Sequence, residues 1–599
     1  MSNISLNSIL NEFQNSDKLI AFKKLKKFTK ENPKDIIALY NLGYMCEVLK
    51  KIDEAITIYK QVLIKNKFHW QSRFNLSLIF FQKKQYDKCL PLLEEILKIN
   101  PAFHPALREK ANVYFHQDKI EDAKKIINNF IKLNPNDHVG LNIQGLIYLK
   151  SNELQRAKEI FLKGIEISPN YYPILNNLST CFRQLDEPKI AIDYLQKTLA
   201  IFPNFIEGII NMGALLIETG KYNEGIKYLK SVKEKTNNNA VNLNLAIGYF
   251  FNENFDEAEK YFQCVEKEDP SNDSFKKNYS SFLIYKQEYQ KAWKILSEIT
   301  NKDKFIIPGS YMDNIKKKLG SFQNISKNDK VLLIKEQGIG DEILFSSIYN
   351  DVLKSYPNTI IETDERLICL FKRSFKSDNF IPYKKISSSK DQLKNYKKVI
   401  FAGNLPSKFR NTKTSFPQKA FLRADSTNIK NIKETLDKKC KKIKIGFSWL
   451  SKRKFFGEEK SINLNSFLPI LKMPEISFIN LQYGNYEKEI ENLNKKEKLD
   501  IMNYPNIDLF NDFENLAALL VNLDLFITIS SSTAHLAGGL GVPTWLIKPK
   551  NNASFHYWFQ PNDKTPWYPS ITLFSQNKGR ENAIKKIKEK ISEQFDFKN

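Results

Sequence analysis

The first half of the chain repeats a pattern of small and large apolar residues every 34 positions. Proline marks the beat at Pro33, Pro101, Pro135, Pro169 and Pro203. Lys67 and Asn237 occupy two skipped beats, and Pro270 arrives one residue early. Within each unit one column of small residues runs Gly43, Ser77, Ala111, Gly145, Ser179, Gly213 and Ala246. A second, twelve residues on, runs Ala55, Cys89, Ala123, Ala157, Ala191, Gly225 and Ala258. A large apolar residue follows four positions later, as at Tyr59, Phe161 and Phe262. Two antiparallel helices approach closely only where side chains are small, and a large neighbour fills the hole. Proline then stops the second helix of the unit. The pattern therefore predicts a stack of helical hairpins over residues 1–304.

This period and its small-residue columns resemble the tetratricopeptide repeat, with about eight and a half units over residues 2–304. Such arrays wind into a superhelix with a concave binding face. One column of the array is polar: Asn41, Asn75, Asn177, Asn211, Asn244 and Asn278, interrupted by Glu109 and Ile143. Asn makes up only 31 of the first 300 residues, so composition alone does not explain the column. It is similar to the asparagine ladder of eukaryotic-type O-linked N-acetylglucosamine transferases, where the amides line the inner surface and hold a peptide backbone. An amide both donates and accepts, so it can pair with a peptide group whatever its side chain. The bland alternative is a polar helix-face position without a ligand.

Past a capping segment at residues 305–329, with a helix expected over Asn314–Leu319, the hydrophobic pattern changes. Lys330–Lys335, Pro357–Glu362 and Lys398–Ala402 are short apolar runs of the kind that central parallel strands show, and Glu342–Tyr356 has helical spacing. A Lys-rich linker is expected around Lys430–Lys442. The alternation then restarts with strands at Lys444–Trp449, Ser477–Gln482, Leu525–Ile529 and Thr544–Ile547, and a helix over Glu581–Gln594 closes the chain. The expected fold is α + α/β: a helical solenoid, then two Rossmann-type domains at 330–430 and 441–599. Ligands of such sheets bind outside the carboxyl ends of the strands.

The motifs of the second half resemble glycosyltransferases of the heptosyltransferase type, which have the GT-B fold. The matching pieces are the Gly338-x-Gly340-Asp341 turn, Asn404-Leu-Pro406, Phe421–Asp425, Gly446–Trp449, Asn480–Gly484, Ser530–Gly541 and Thr565–Pro569. The likeness is greatest to bacterial proteins with tetratricopeptide repeats ahead of such a domain, some of which modify flagellin. Heptosyltransferases have Asp-Thr-Gly where this chain has Ser530-Ser531-Ser532, so donor identity does not transfer. The resemblance implies a nucleotide-sugar donor on the 441–599 side, an acceptor on the 330–430 side, and flagellin or a surface protein as acceptor.

Charge changes this picture little. The net charge is +25, but only ten of the 92 basic residues are Arg, and the lysines are spread over the whole length. That reads as a solvated surface rather than a nucleic-acid interface. The six cysteines have no metal-binding spacing. The N-terminus lacks a signal-peptide layout, and no apolar run reaches the roughly 18–20 residues of a membrane span. A cytoplasmic location is expected.

Sugar transfer needs a base for the acceptor hydroxyl and a place for the leaving diphosphate. No Asp-x-Asp occurs, so the charge would be met without metal or other cofactor by the helix N-terminus at Ser530, Ser531, Ser532 and Thr533. Lys452, Arg453 or Lys460 can add a cation, or simply be solvated. Asp341 corresponds to the aspartate that follows the glycine turn in heptosyltransferases, which implies a base; read on its own, it can equally cap its helix. His535 can bond a phosphate or sugar, or be a core histidine. The resemblance puts Ser448, Trp449, Gln482 and Tyr483 on the donor side; Trp449, Tyr483 and Trp567 can stack on a ligand or belong to the core. Three functions follow: an inverting, metal-independent glycosyltransferase with a protein acceptor held by the repeats, an inactive transferase-like adaptor, and the same enzyme with a lipid or oligosaccharide acceptor.

Overall fold

The computed structural model describes residues 5–300, 315, 318–335, 338–451, 460–549, 557–576 and 579–595. The described chain forms two compact units, Met1–Leu215 and Leu216–Asn599. Eighteen helices, from Leu6–Asn15 to Tyr289–Thr300, make an N-terminal solenoid of hairpins. The small-residue columns do the packing work the pattern implies. A Cβ on Gly43 would sit 2.6 Å from the Tyr59 ring, and one on Gly145 would overlap Phe161. Both rings are fully buried.

The turn inside each hairpin follows a rule that the hydrophobic pattern does not reveal. Lys50, Lys84, Asp118, Asn152, Asp186, Gly220, Glu253 and Gln287 all have left-handed backbone, with φ between +57° and +81°. Only one of these is glycine, so seven units carry the steric cost of a Cβ in that conformation. Three buried thiols, Cys46, Cys89 and Cys181, sit in the solenoid core, where burial pushes them up to about 11, 12 and 11. They are packing groups in an unreactive protonated state.

The second unit continues from the last repeats into two sheets. β1 (Val331–Ile334), β2 (Thr359–Thr363), β3 (Phe380–Pro382) and β4 (Lys398–Phe401) form a parallel sheet in the order β3-β2-β1-β4. The larger sheet contains β5 (Ile443–Phe447), β6 (Ile476–Asn480), β7 (Ile501–Asn503), β8 (Leu525–Ile529), β9 (Thr544–Ile547), β10 (Lys564–Thr565) and β11 (Tyr568–Phe574). Its order is β10-β11-β9-β8-β5-β6-β7, parallel except for the β10–β11 hairpin. β8 and β9 are buried along their whole length, as strands covered on both faces must be. Gly446 in β5 makes room for its neighbours: a Cβ there would come within 2.7 Å of Leu523 and Leu481.

Two expectations are corrected. The Lys430–Lys442 stretch is no linker, because a helix runs through it from Ser426 to Lys439. Asp425 caps it by accepting from Thr427 N and Asn428 N, and Ile432 and Leu436 form a buried stripe under the solvated lysines. The helix expected over Glu342–Tyr356 is two helices, Ile339–Ser346 and Tyr349–Ser355, broken at Ser347 and Ile348. There the buried Arg410 guanidinium takes the Ser347 carbonyl at 2.6 Å. Asn314, Lys316 and Lys317 of the expected capping helix at Asn314–Leu319 lie outside the described residues.

Candidate functional site

The site grows from the end of β8. Ser530 follows the strand, Ser531 stays extended (φ −146°, ψ 167°), and its hydroxyl accepts from Ala534 N at 3.2 Å, so Ser531 is the N-cap of the helix Ser532–Leu540. The glycines of this helix serve packing rather than ligand approach. A Cβ on Gly538 would lie 2.6 Å from the Tyr568 ring, and one on Gly539 would lie 2.7 Å from Leu422. Phe421 and Leu422 donate their N–H groups to the Gly539 carbonyl at 3.0 and 2.9 Å, which ties the segment after the four-stranded sheet to this helix. Gly541 ends the helix at φ +79°, a conformation that favours glycine.

The glycine turn after β1 meets this helix end-on. A Cβ on Gly340 would be 3.1 Å from His535 Cδ2 and 3.5 Å from the Ser532 Cα. Gly340 lies in the first turn of Ile339–Ser346, whose N-cap is Gly338. Two helix N-termini, one from each sheet, thus converge on one point, and their partial positive charges add. Among the described residues, the N–H groups of Ser532 and Thr533 form no hydrogen bond. This is the arrangement that a bound anion satisfies.

Asp341 sits at this junction and is 9% exposed. It does not cap its helix, since Gly338 holds that position and no side-chain cap bond forms. His535 is buried; its Nδ1 lies 2.8 Å from the Tyr568 hydroxyl and its Cδ2–Nε2 edge faces Gly340. The rings of Tyr557 and Trp558 enclose the imidazole, each with its centroid at 5.0 Å. Burial drives the Tyr568 phenol well above its ordinary pKa, and the charge of Asp341 adds to the effect. Tyr568 therefore stays protonated. The hydroxyl and Nδ1 share one hydrogen bond, and the Cδ2–Nε2 edge of the imidazole is left toward the glycine turn.

Several residues expected on a donor side have other partners. Ser530 Oγ accepts from the Trp558 indole at 3.0 Å. Ser448 Oγ pairs with Thr528 Oγ1 at 2.7 Å, joining neighbouring strands. Gln482 Oε1 accepts from Trp449 N and Leu450 N at 3.0 and 2.7 Å, while its Nε2 donates to Leu450 O and Tyr483 O at 3.1 and 3.2 Å. That amide braces two strand ends and has no group left for a ligand. Trp449 is a core residue, 1% exposed and stacked on Phe447; Trp567 is likewise fully buried. Tyr483 is half-buried against Phe510, and Lys460 is buried. Lys452 and Arg453 lie outside the described residues.

Sequence reasoning missed the network beneath Asp341. Glu342 Oε1 accepts from Asp364 N at 2.9 Å and from the Thr363 hydroxyl. Lys335 Nζ bridges Glu342 at 3.4 Å and Asp364 at 3.3 Å. Burial raises the Glu342 carboxyl, and Lys335 works against it. The only signal in the sequence was the adjacent Asp341-Glu342 pair, which does not say that the Glu342 carboxyl is held in the interior by Thr363, Asp364 N and Lys335.

In the solenoid, all six ladder asparagines are half-buried. Asn177 Nδ2 donates to Asn142 Oδ1 at 2.8 Å, and Asn211 Nδ2 to Asn176 Oδ1 at 3.0 Å. Asn75 Nδ2 donates to the Tyr59 hydroxyl at 3.0 Å. Asn41 and Asn278 bond the carbonyls of Ile37 and Ser274, one turn back. At least one N–H of each of these five amides is thus committed within the array. Among the described residues no group of three His, Cys, Asp or Glu could hold a metal, and no helix is long and apolar enough to cross a membrane.

This architecture defines a repeat protein joined to a two-sheet α/β region. The tetratricopeptide repeat profile matches residues 36–63, 71–103 and 140–171, so the N-terminal region carries tetratricopeptide repeats. Protein FlbA of Caulobacter vibrioides is 27% identical over 265 residues, which cover 41% of this chain and 43% of FlbA. The chain thus matches less than half the length of that relative. Among solved structures, PilF of Pseudomonas aeruginosa is 18% identical with a TM-score of 0.31, covering 34% of this chain and 94% of its own. YrrB, described as a repeat protein with an unusual peptide-binding site, is 17% identical with a TM-score of 0.25, covering 31% and 95%. The Cut9–Hcn1 assembly is 13% identical with a TM-score of 0.40, covering 47% and 57%.

Proposed function

We propose that the chain is an inverting, metal-independent glycosyltransferase that moves a sugar from a nucleotide-sugar donor to a protein hydroxyl presented by its repeats. One observation carries the reading: Gly340 packs against Ser532 and His535, so two helix N-termini and the Asp341 carboxylate share one junction. The main-chain N–H groups of Ser532 and Thr533 neutralise the departing diphosphate. Asp341 takes the proton of a Ser or Thr hydroxyl as its oxygen attacks the anomeric carbon and the bond to the phosphate breaks. His535, whose Cδ2–Nε2 edge faces the glycine turn, bonds a phosphate or sugar oxygen. The repeats bind the acceptor segment, whose backbone N–H groups meet the asparagine carbonyls. Flagellin or a surface protein is the acceptor class that the resemblance suggests, and the cytoplasm is where nucleotide sugars are at hand.

A second reading, a protein-binding adaptor without turnover, is favoured by the internal commitments of Ser530, Ser448 and Gln482. Turnover of a panel of nucleotide sugars with candidate protein acceptors, wild type against Asp341→Asn, separates the two. Glycosylated acceptor that falls at least a hundredfold in the variant supports the enzyme. Acceptor capture without turnover of any donor supports the adaptor.

A further inference from the structure

A second cavity, of 410 Å³, opens where the last repeats meet the carboxyl ends of β9 and β11. It lies within the second unit and is lined by none of the residues of the serine turn. Three lysines line it, Lys548 at the end of β9 and Lys586 and Lys590 from the closing helix, against two carboxylates, Glu253 and Asp563. Lys586 and Lys590 are one turn apart and share a helix face. The Lys590 ammonium is held 5.4 Å from the Trp545 ring and 5.5 Å from Phe574.

Lys548 is the informative group. It is half-buried, its ammonium lies 5.7 Å from the Phe559 ring, and among the described residues nothing hydrogen-bonds or ion-pairs its Nζ. Burial lowers its pKa, with only the charge of Glu253 opposing. A desolvated ammonium without a partner is costly, and an anion relieves that cost. The wall that faces it is fixed in advance: Phe559 packs against Phe250 at 4.9 Å and Tyr285 at 5.5 Å. The volume lies in the range of small-molecule sites, about 300–1,000 Å³.

We propose that this cavity is an anion site that takes a phosphomonoester of sugar size, with Lys548 and Lys590 on the phosphate and Phe559 and Tyr285 against the apolar face of the ring. It is independent of what the serine turn binds. Full-length protein is titrated by equilibrium dialysis with inorganic phosphate, glucose 1-phosphate and, as the uncharged probe, glucose. Wild type is expected to bind glucose 1-phosphate saturably at one site and glucose not at all. Lys548→Met weakens that binding at least tenfold, and Lys548→Arg keeps it within about threefold. Equal affinity for inorganic phosphate supports the anion site with free phosphate as its source; preference for the ester supports the sugar phosphate. Absence of saturable phosphate-dependent binding in wild type, or binding unchanged in Lys548→Met, overturns the proposal. Should Lys548→Met fail to fold, Lys590→Met is read in its place, with loss supporting and unchanged binding overturning.

Discussion

Replacing Tyr568 by Phe isolates the contact that orients His535. The ring stays, so only one oxygen is removed and no cavity larger than that forms. What is lost is the hydrogen bond between the Tyr568 hydroxyl and His535 Nδ1, 2.8 Å long, between residues that are 0% and 3% exposed. Water cannot take over at such burial, and a buried polar group left unpaired costs about 1–3 kcal/mol. The loss of stability should therefore fall in that range rather than in the few tenths of a kcal/mol typical of surface changes. Four of the six tryptophans, Trp449, Trp545, Trp558 and Trp567, lie in the region of the seven-stranded sheet, so urea unfolding followed by tryptophan fluorescence reports on the right region. The same substitution in a His535→Ala background should cost less than about 0.5 kcal/mol, because the partner is already gone. An equal loss in both backgrounds, or none in either, would refute the assignment of Tyr568 as the group that fixes the imidazole.

Two further outcomes follow from the packing and the charges. Gly43→Ala puts a Cβ 2.6 Å from the buried Tyr59 ring; overpacking at about 1–3 kcal/mol outweighs the roughly 1 kcal/mol of helix propensity gained. Lower thermal stability of the helical circular-dichroism signal checks it, and an unchanged or raised midpoint speaks against the interlocking columns. Burial pushes the Asp364 carboxyl up, but the Arg366 hydrogen bonds and the Lys335 charge outweigh it and hold it at about 2. An unfolded aspartate titrates near 4, so the native state binds fewer protons between those values and loses stability as pH falls from about 4 to about 2. Asp364→Asn should flatten acid unfolding over that window, modestly because the group is partly exposed, and an unaltered acid limb would count against the pairing.

How much of this could be read from residues alone depended on whether the information was local. The 34-residue beat survives into structure because a small residue faces a large apolar one sixteen positions later, as Gly43 meets Tyr59 and Gly145 meets Phe161. The left-handed turns between paired helices were hidden because Lys, Asp, Asn, Glu and Gln fill them, and only Gly220 advertises the conformation. The helix Ser426–Lys439 was obscured by its own lysines: two buried residues, Ile432 and Leu436, are too few to show a stripe. Gln482 and Ser448 look like ligand-facing polar residues at strand ends, yet their partners, Leu450 and Thr528, are brought near only by the sheet. Long-range pairing of that kind leaves no periodic trace.

The serine run Ser530–Ser532 is where local chemistry and fold diverge most. Ser531 spends its hydroxyl on capping its own helix, and Ser530 holds the Trp558 indole. Side-chain oxygens that are satisfied within the fold contribute little to a ligand, so in the proposed function recognition at this turn falls to the main-chain N–H groups of Ser532 and Thr533. Main-chain recognition depends on backbone position and tolerates changes of side chain, which lets Ser-Ser-Ser stand where the resembling enzymes have another tripeptide. It depends strongly, however, on how closely the opposing helix approaches. That distance is set by Gly340, whose hydrogen in place of a methyl lets the first helix end lie against Ser532 and His535. In the proposed function the junction would hold its anion through a residue with no side chain and through groups that every amino acid but proline possesses.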